Sequence, residues 1–269
     1  MAQTRNKRWR VAAVAAVAMA AVGQLHGAAA DDAFDVFADA NPAVFTVADG
    51  KDLWSEPRGP NHVSLEQCDL GLGPGKVKGA YAQLPRYFED AGRVMDAQTR
   101  LVYCMVHLQG MARDKILANA YSPRGGPATP LEALTAFVAS KSRGDTIAVP
   151  QSHPAEKRMY QIGKALFWYR MGTHDFSCAS CHRASGKRVR LTEVPNLTTN
   201  EGARASFSTW PAYRKSHGTV RTMEHRLRGC MRQQRVPVLK AGSKAATALI
   251  TYMGVMANGG TMQAPGFKR

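Results

Sequence analysis

The segment FSCASCHRASG at residues 176–186 places Cys178, Cys181 and His182 in C-x-x-C-H spacing. A zinc site needs a second cysteine or histidine pair at similar spacing, and the sequence has none. A thioredoxin-like redox pair does not require the histidine. A c-type haem uses all three residues, because the thiols form thioethers with its vinyl groups and the histidine ligates the iron. The motif therefore predicts a covalently bound haem c.

The sequence on either side of this motif has the order of a small cytochrome c domain. AEKRMYQIGKALFWYRM at residues 155–171 has apolar residues at helical spacing, and Pro154 before it suits a helix start. After the motif, EVPNLTT places Pro195 in a loop. GSKAATALITYMGVM at residues 242–256 predicts a closing helix that Ser243 caps. This order predicts a mainly α domain built around the haem.

The second ligand of the iron stays open on the residues alone. TMEHRLRGCMRQQ at residues 222–234 predicts a helix with Met223, Leu227, Cys230 and Met231 on one apolar side. A methionine ligand would give an ordinary electron-transfer cytochrome. The cysteine competes with it, either as a reactive or ligating thiol or as a small buried core residue.

Positive charge around Cys230 favours the reactive or ligating interpretation. Arg226 precedes it by one helical turn on the same face, and Arg228 and Arg232 flank it. Cations lower the pKa of a thiol, and the thiolate is the better ligand and nucleophile. Arg183–Arg235 contains 12 Lys or Arg against three acids, a net of +9 in a chain of net charge +16. Such a field attracts anions and acidic partners. The sequence has no nucleic-acid motif, so we do not expect nucleic acid as a partner.

The first 30 residues predict a cleaved signal peptide. Four cations between Arg5 and Arg10 precede the apolar run VAAVAAVAMAAVG, and GAAA before Asp31 suits cleavage. The run is shorter than the ~20 residues that span a bilayer, so it does not favour a stable membrane anchor. Its removal would take four cations and no acids from the net charge of +16 and leave +12. We expect a periplasmic protein.

Several further segments resemble the SoxA family, the catalytic cytochrome c subunits of bacterial thiosulfate oxidation. HRLRGCMRQQR at residues 225–235 is similar to the active-site segment of that family. GLGPG, LPRYF, GRVMD and RLVYCM, between residues 71 and 105, are similar to further elements of it. The resemblance covers nearly the whole chain after the signal peptide. It implies two cytochrome c-like domains, a smaller haem subunit, SoxX, and a carrier complex, SoxYZ, with a cysteine on a flexible arm.

The resemblance also implies an activity. The chain would be an L-cysteine S-thiosulfotransferase that conjugates thiosulfate oxidatively to the carrier cysteine, with electrons passing through the haem to a partner cytochrome c. Cys230 would be axial iron ligand and transient persulfide or thiosulfonate carrier, and Arg226 would bind the substrate anion. The alternative is a periplasmic electron-transfer cytochrome with one haem, Met223 or Met231 on the iron, and no sulfur chemistry. A structural scaffold with a haem-binding partner face is a third hypothesis.

The N-terminal half departs from family members that carry two haems. Cys68 stands in CDLGL, without a second cysteine or a histidine in the C-x-x-C-H frame. This half should therefore lack haem, leaving one haem c per chain, and the single-haem branch of the family implies a disulfide between Cys68 and Cys104. We expect a signal peptide at 1–30, a haem-free domain with the disulfide at 31–147, and a haem-binding domain with the active site at 148–269. No internal repeat is visible in the sequence.

Overall fold

The described residues of this computed structural model, 41–189 and 192–269, form helices with a few short strands. The signal peptide predicted at residues 1–30 lies outside them. The helices are α1 (Ala43–Ser55), α2 (Ala97–His107), α3 (Arg113–Ala118), α4 (Pro130–Ser140), α5 (Pro154–Trp168), α6 (Cys178–His182), α7 (Asn200–Phe207), α8 (Met223–Gln233) and α9 (Lys244–Met256). The strands are β1 (Arg86–Phe88), β2 (Arg93–Met95), β3 (Arg188–Val189), β4 (Thr192–Glu193), β5 (Ala212–Arg214), β6 (Thr219–Arg221) and β7 (Gly266–Lys268).

The mainly α architecture agrees with the sequence, whereas the strands were not predicted. The pairs β1–β2 and β3–β4 are antiparallel hairpins, and β5 lies between antiparallel β6 and parallel β7. A search of the described part for a helix long and apolar enough to cross a membrane finds none.

The helices predicted around the haem motif are confirmed. Helix α5 begins at Pro154, where the missing N–H of proline has no helical partner to lose, and His153 and Glu156 form a capping box. Helix α9 is capped by Ser243, whose hydroxyl accepts a hydrogen bond from the backbone N–H of Ala246 at 3.3 Å. The helix predicted for residues 222–234, which contains Cys230, is present as α8.

Each half of the chain is closed by a crossing between its first and last long helices. Helix α1 crosses α4 where Gly50 lies against the carbonyl of Ala133. Helix α5 crosses α9 where Gly163 lies against the carbonyl of Ala248. A β-carbon at either glycine would overlap with that carbonyl, so a larger residue would push the two helices apart.

An aromatic pair lies one helical turn beyond each crossing. Trp54 packs on Phe137 with ring centroids 6.0 Å apart, and Phe167 packs on Tyr252 with centroids 5.1 Å apart. Each ring is four residues after the glycine or alanine of its crossing. The two halves thus repeat one pattern, Gly-x-x-x-aromatic against Ala-x-x-x-aromatic, and this repeat supports two domains of the same fold.

Three buried carboxylates join the two halves. The pairs are Glu132 with Nδ1 of His225 (2.6 Å), Asp96 with Oγ1 of Thr247 (2.5 Å) and Glu156 with the backbone N–H of Tyr87 (2.9 Å). Each carboxylate also accepts a hydrogen bond from a backbone N–H at the start of its own helix. A buried carboxylate is costly unless it is hydrogen-bonded, so these double contacts hold the halves together as one compact unit, Pro42–Arg269. The boundary between residues 147 and 148 stays a prediction.

The expected disulfide between Cys68 and Cys104 is present and joins the segment before β1 to α2. Both cysteines are buried, at 1% and 3% exposure. Arg100, one turn earlier on α2, donates to the carbonyl of Asp69 at 2.6 Å and pairs with Asp90 at 2.8 Å. The disulfide and this arginine together hold the Cys68 segment against α2.

We expect Gly163→Ala to destabilise the protein, because the added methyl group meets the Ala248 carbonyl and the Tyr252 side chain. Overpacking of this kind costs about 1–3 kcal/mol of the free energy of unfolding. Chemical denaturation of the holoprotein measures it, with Lys164→Ala, at the exposed neighbouring position, as the control. A Gly163→Ala protein as stable as the control would show that the crossing tolerates a side chain.

Cys104→Ser is expected to lower the free energy of unfolding by about 2–5 kcal/mol, because the disulfide no longer restrains the unfolded chain. The haem absorption spectrum should not change, since the disulfide lies in the half without the haem motif. Denaturation and optical spectroscopy of the same sample test both statements. Peptide mapping that finds Cys68 and Cys104 both alkylated without reduction would contradict the disulfide.

Candidate functional site

The C-x-x-C-H motif folds into the short helix α6, which places its three residues on little more than one turn. A capping box starts this helix: the Ser177 hydroxyl accepts from the Ser180 N–H at 3.2 Å, and the Ser180 hydroxyl accepts from the Ser177 N–H at 3.0 Å. Cys178 and Cys181 are half-buried thiols outside any disulfide. Both are therefore available for thioether bonds to a haem.

The ring of His182 has the orientation that a metal ligand needs. Its Nδ1 lies 2.8 Å from the carbonyl oxygen of Pro195. Because a carbonyl only accepts, Nδ1 carries the proton and Nε2 keeps a lone pair for a metal. Burial lowers the pKa of His182, and the charge of Arg226 lowers it further. The hydrogen bond to the Pro195 carbonyl raises this pKa but does not outweigh the other two causes. The predicted proline loop thus selects the ligand tautomer.

Exposed apolar side chains beside the motif also fit a haem. Trp168, Tyr169 and Phe176, on the chain just before α6, are 44%, 64% and 39% exposed. Gly172, on the loop between α5 and α6, lies against Arg235 and Val236. Val238, two residues further along the chain, is 38% exposed. Apolar surface is unfavourable in water, and a haem face would cover it. The donor set and its apolar surroundings therefore fit a covalently held haem.

Cys230 is the third free cysteine of the described chain, and α8 brings it near the motif. It is half-buried. Burial raises the pKa of Cys178 to about 11, and the next largest cause is the charge of Cys230. The two thiols therefore lie within electrostatic reach of each other, as a role for Cys230 at the haem requires.

The two methionines considered as alternative ligands lie in the hydrophobic core. Met223 is 5% exposed and Met231 is 8% exposed, and both belong to the main core cluster, which does not include Cys230. Successive residues of a helix point about 100° apart, so Met231 turns inward while its neighbour stays partly exposed. The single apolar side predicted for α8 is thus divided between the core and the site.

Arg226 lies in the first turn of α8, one turn before Cys230, as the sequence indicates. Sequence reasoning missed two further arginines, Arg214 at the end of β5 and Arg221 at the end of β6. Burial, followed by the charges of Arg226 and Arg221, lowers the pKa of Arg214 to about 10, and the charge of Cys230 acts in the opposite sense. The high density of arginine was visible in the sequence, but the hairpin that brings these two together was not.

A buried carboxyl group, that of Glu224, anchors the first turn of α8. It is 1% exposed and accepts a hydrogen bond from the backbone N–H of Gly242 at 2.7 Å. Burial raises the pKa of Glu224 to about 8, and the nearby Asp96 raises it further, while the Gly242 N–H opposes the shift. A carboxyl that stays protonated in the folded protein makes stability depend on pH.

We expect the stability that Glu224 contributes to be fully present below its ordinary pKa of 4.5 and to be lost as the pH rises through about 8. Glu224→Gln keeps an acceptor for the Gly242 N–H but cannot ionise. Relative to wild type, this variant should therefore gain stability between pH 5 and pH 8 (roughly the two sides of the titration). Denaturation at both pH values measures the gain, with exposed Glu201→Gln as control. Parallel pH dependences of wild type and Glu224→Gln would contradict the assignment.

The fold and this donor set define a c-type cytochrome, and comparison with known proteins places it more narrowly. The family model described as SoxA/TsdA, cytochrome c domain, matches residues 49–147 and 162–262. The L-cysteine S-thiosulfotransferase subunit SoxA of Hydrogenophilus thermoluteolus is 49% identical over 86% of this chain and 84% of that protein. A SoxA subunit of Hydrogenobacter thermophilus is 36% identical over 82% of this chain and 79% of its own length.

A solved structure agrees with these sequence matches. The crystal structure of SoxXA from P. pantotrophus is similar with a TM-score of 0.70 and 25% identity, over 85% of this chain and 79% of the matched chain. The chain belongs to the SoxA family. The expected fold of two cytochrome c domains is thereby confirmed, and a cytochrome c domain implies a c-type haem.

Proposed function

We propose that this chain is a haem-dependent L-cysteine S-thiosulfotransferase of the periplasm, which conjugates thiosulfate oxidatively to a cysteine of a SoxYZ carrier. A relative that is 49% identical carries this enzyme name, and the SoxXA crystal structure supports a SoxX cytochrome as partner. The observation that carries the proposal is the free thiol of Cys230 beside the haem motif, with Arg226 one turn earlier.

One haem c per chain would be held by Cys178 and Cys181 through thioethers, and His182 would bind the iron through Nε2. The single C-x-x-C-H in the sequence supports this number, as does the disulfide that engages Cys68 in the other half. Cys230 would be the second protein ligand of the iron. The electrostatic interaction between Cys230 and Cys178 supports this role. Met223 and Met231 pack in the core cluster, which does not include Cys230, and this favours Cys230 over either methionine.

Cys230 is also the residue that takes up sulfur. Its thiol joins the outer sulfur of thiosulfate to form Cys230–S–S–SO₃⁻, which releases the thiol proton and two electrons. The haem, when bound, supplies a one-electron redox centre, so this oxidation also needs a second acceptor, the partner cytochrome SoxX. The carrier thiolate then attacks the sulfur bonded to the sulfonate, and the bond to Cys230 breaks as the new disulfide bond forms. Cys230 leaves as a thiolate.

Arg226 binds the sulfonate during this exchange. Its guanidinium presents paired N–H donors that match two sulfonate oxygens, and such charge-assisted hydrogen bonds are stronger than neutral ones. The described residues provide no carboxylate in an ion pair with Arg226. Its position on the same helical face as Cys230 brings the anion to the thiol.

Cys230→Ala should abolish thiosulfate conjugation while the haem stays attached, because the thioethers do not depend on Cys230. Cys230→Met should pass electrons as an ordinary His/Met cytochrome, with the weak far-red band of that ligation, yet form no thiosulfate conjugate. Activity with the carrier, the ferric spectrum and intact mass measure these outcomes, and the mass should correspond to one haem per chain. Met231→Leu, at the neighbouring core position, is the control that keeps activity. Full turnover by Cys230→Met would refute the role of the thiol.

A further inference from the structure

Two arginines on a short hairpin lie beside the site and have no part in the proposed function described above. Strands β5 and β6 pair with Ala212 opposite Arg221 and Arg214 opposite Thr219. Alternate residues of a strand share one face of the sheet, and directly opposite residues share it as well. Arg214 and Arg221 are therefore diagonal neighbours on the same face of the hairpin.

This hairpin leads directly into α8, so its two arginines lie close in the chain to Arg226. Strand β6 ends at Arg221, and α8 begins two residues later with Arg226 in its first turn. The charges of Arg226, Arg221 and Cys230 all act on Arg214. Arg226 also acts on Arg221, so the three guanidinium groups lie within electrostatic reach of one another. Arg214 also lies within electrostatic reach of the Cys230 thiol.

In the described part of the chain, the three arginines are not neutralised by salt bridges. Within residues 41–189 and 192–269, none of them forms an ion pair with a carboxylate. Arg221 is only 6% exposed, and its Nε has no hydrogen-bond partner. The acid whose charge acts on it is Glu132, but the oxygens of Glu132 already accept from His225, Ser122 and Thr129.

Other groups around the hairpin add positive charge. Lys268 on β7 is the register partner of Arg214, and Arg124 and Arg232 act electrostatically on Arg221. Partly buried like charges repel each other in a medium that screens them less than water does. An anion bound among them removes this repulsion, so the cluster is suited to binding one.

We propose that Arg214 is a second anion-binding residue of the site, which holds the sulfonate of thiosulfate together with Arg226 while Arg221 adds charge from the buried side. This inference rests on the proposed function, because it assigns a further residue to the same substrate. One guanidinium fork matches two of the three sulfonate oxygens, so a second arginine can bind the third. Two guanidinium groups also match the two charges of thiosulfate.

Binding without chemistry tests this proposal directly. Thiosulfate is titrated calorimetrically into the Cys230→Ala holoprotein, with and without Arg214→Gln. We expect Arg214→Gln to weaken binding about tenfold or more, because a charge-assisted contact is lost. Arg214→Lys should give an intermediate affinity, since it keeps the charge but loses the fork. Lys215→Gln, at the adjacent exposed position, should bind as the parent does, and the haem spectrum reports folding in every variant.

Turnover separates this inference from the proposed function. In the wild-type background, Arg214→Gln should raise KM for thiosulfate at constant carrier concentration and leave KM for the carrier unchanged. Unchanged thiosulfate affinity in Arg214→Gln would overturn the inference, and so would an effect on the carrier alone, which would assign the cluster to protein docking. A different outcome is that Arg214→Gln weakens thiosulfate binding but the wild-type protein does not conjugate thiosulfate. That outcome would refute the proposed function and leave the anion site standing.

Discussion

The close crossing of α5 and α9 at Gly163 is the constraint on which the half with the haem motif depends. Only a residue without a β-carbon lets α5 approach the Ala248 carbonyl this closely. The crossing brings Phe167 against Tyr252, one turn further along each helix. The crossing also fixes the position in space of the C-terminal end of α5. From there a loop leads the chain to α6. Tyr252 lies within electrostatic reach of Cys178, so the crossing and the haem motif share one piece of core.

The other half uses the same crossing for a different purpose. Gly50 and Ala133 place α1 on α4 as Gly163 and Ala248 place α5 on α9. The segment after α1 then carries Cys68, which is tied to α2 by its disulfide with Cys104. A cross-link between two chain segments restrains the unfolded state and needs no haem.

Much of this could be predicted from the sequence, and particular residues show where prediction stopped. The helices flanking the haem motif followed from apolar spacing and from the local signals of Pro154 and Ser243. The repeat between the two halves could not be predicted, because in each half it consists of only a glycine, an alanine and two aromatic residues among unrelated neighbours. The hairpin that carries Arg214 was also missed, since strands of three residues are too short to show alternation. Contacts such as Glu132 with His225 join residues 93 apart, and no local pattern encodes them.

The hydrogen bonds of the buried acids explain why the arginines near Cys230 form no ion pairs among the described residues. Asp96, Glu132 and Glu156 are occupied as helix caps and as bonds between the halves. Glu224 is bonded to the Gly242 N–H. None of these buried carboxylates is therefore available as an ion-pair partner for the arginines near Cys230.

The same contacts tie the site to the half that carries no haem motif. His225, bonded to Glu132 on α4, directly precedes Arg226 on α8. Any displacement of α4 relative to α8 would break a buried hydrogen bond and leave a carboxylate group partly unsatisfied, which is costly in a protein interior. The first half therefore helps to fix the position of the first turn of α8, which carries Arg226.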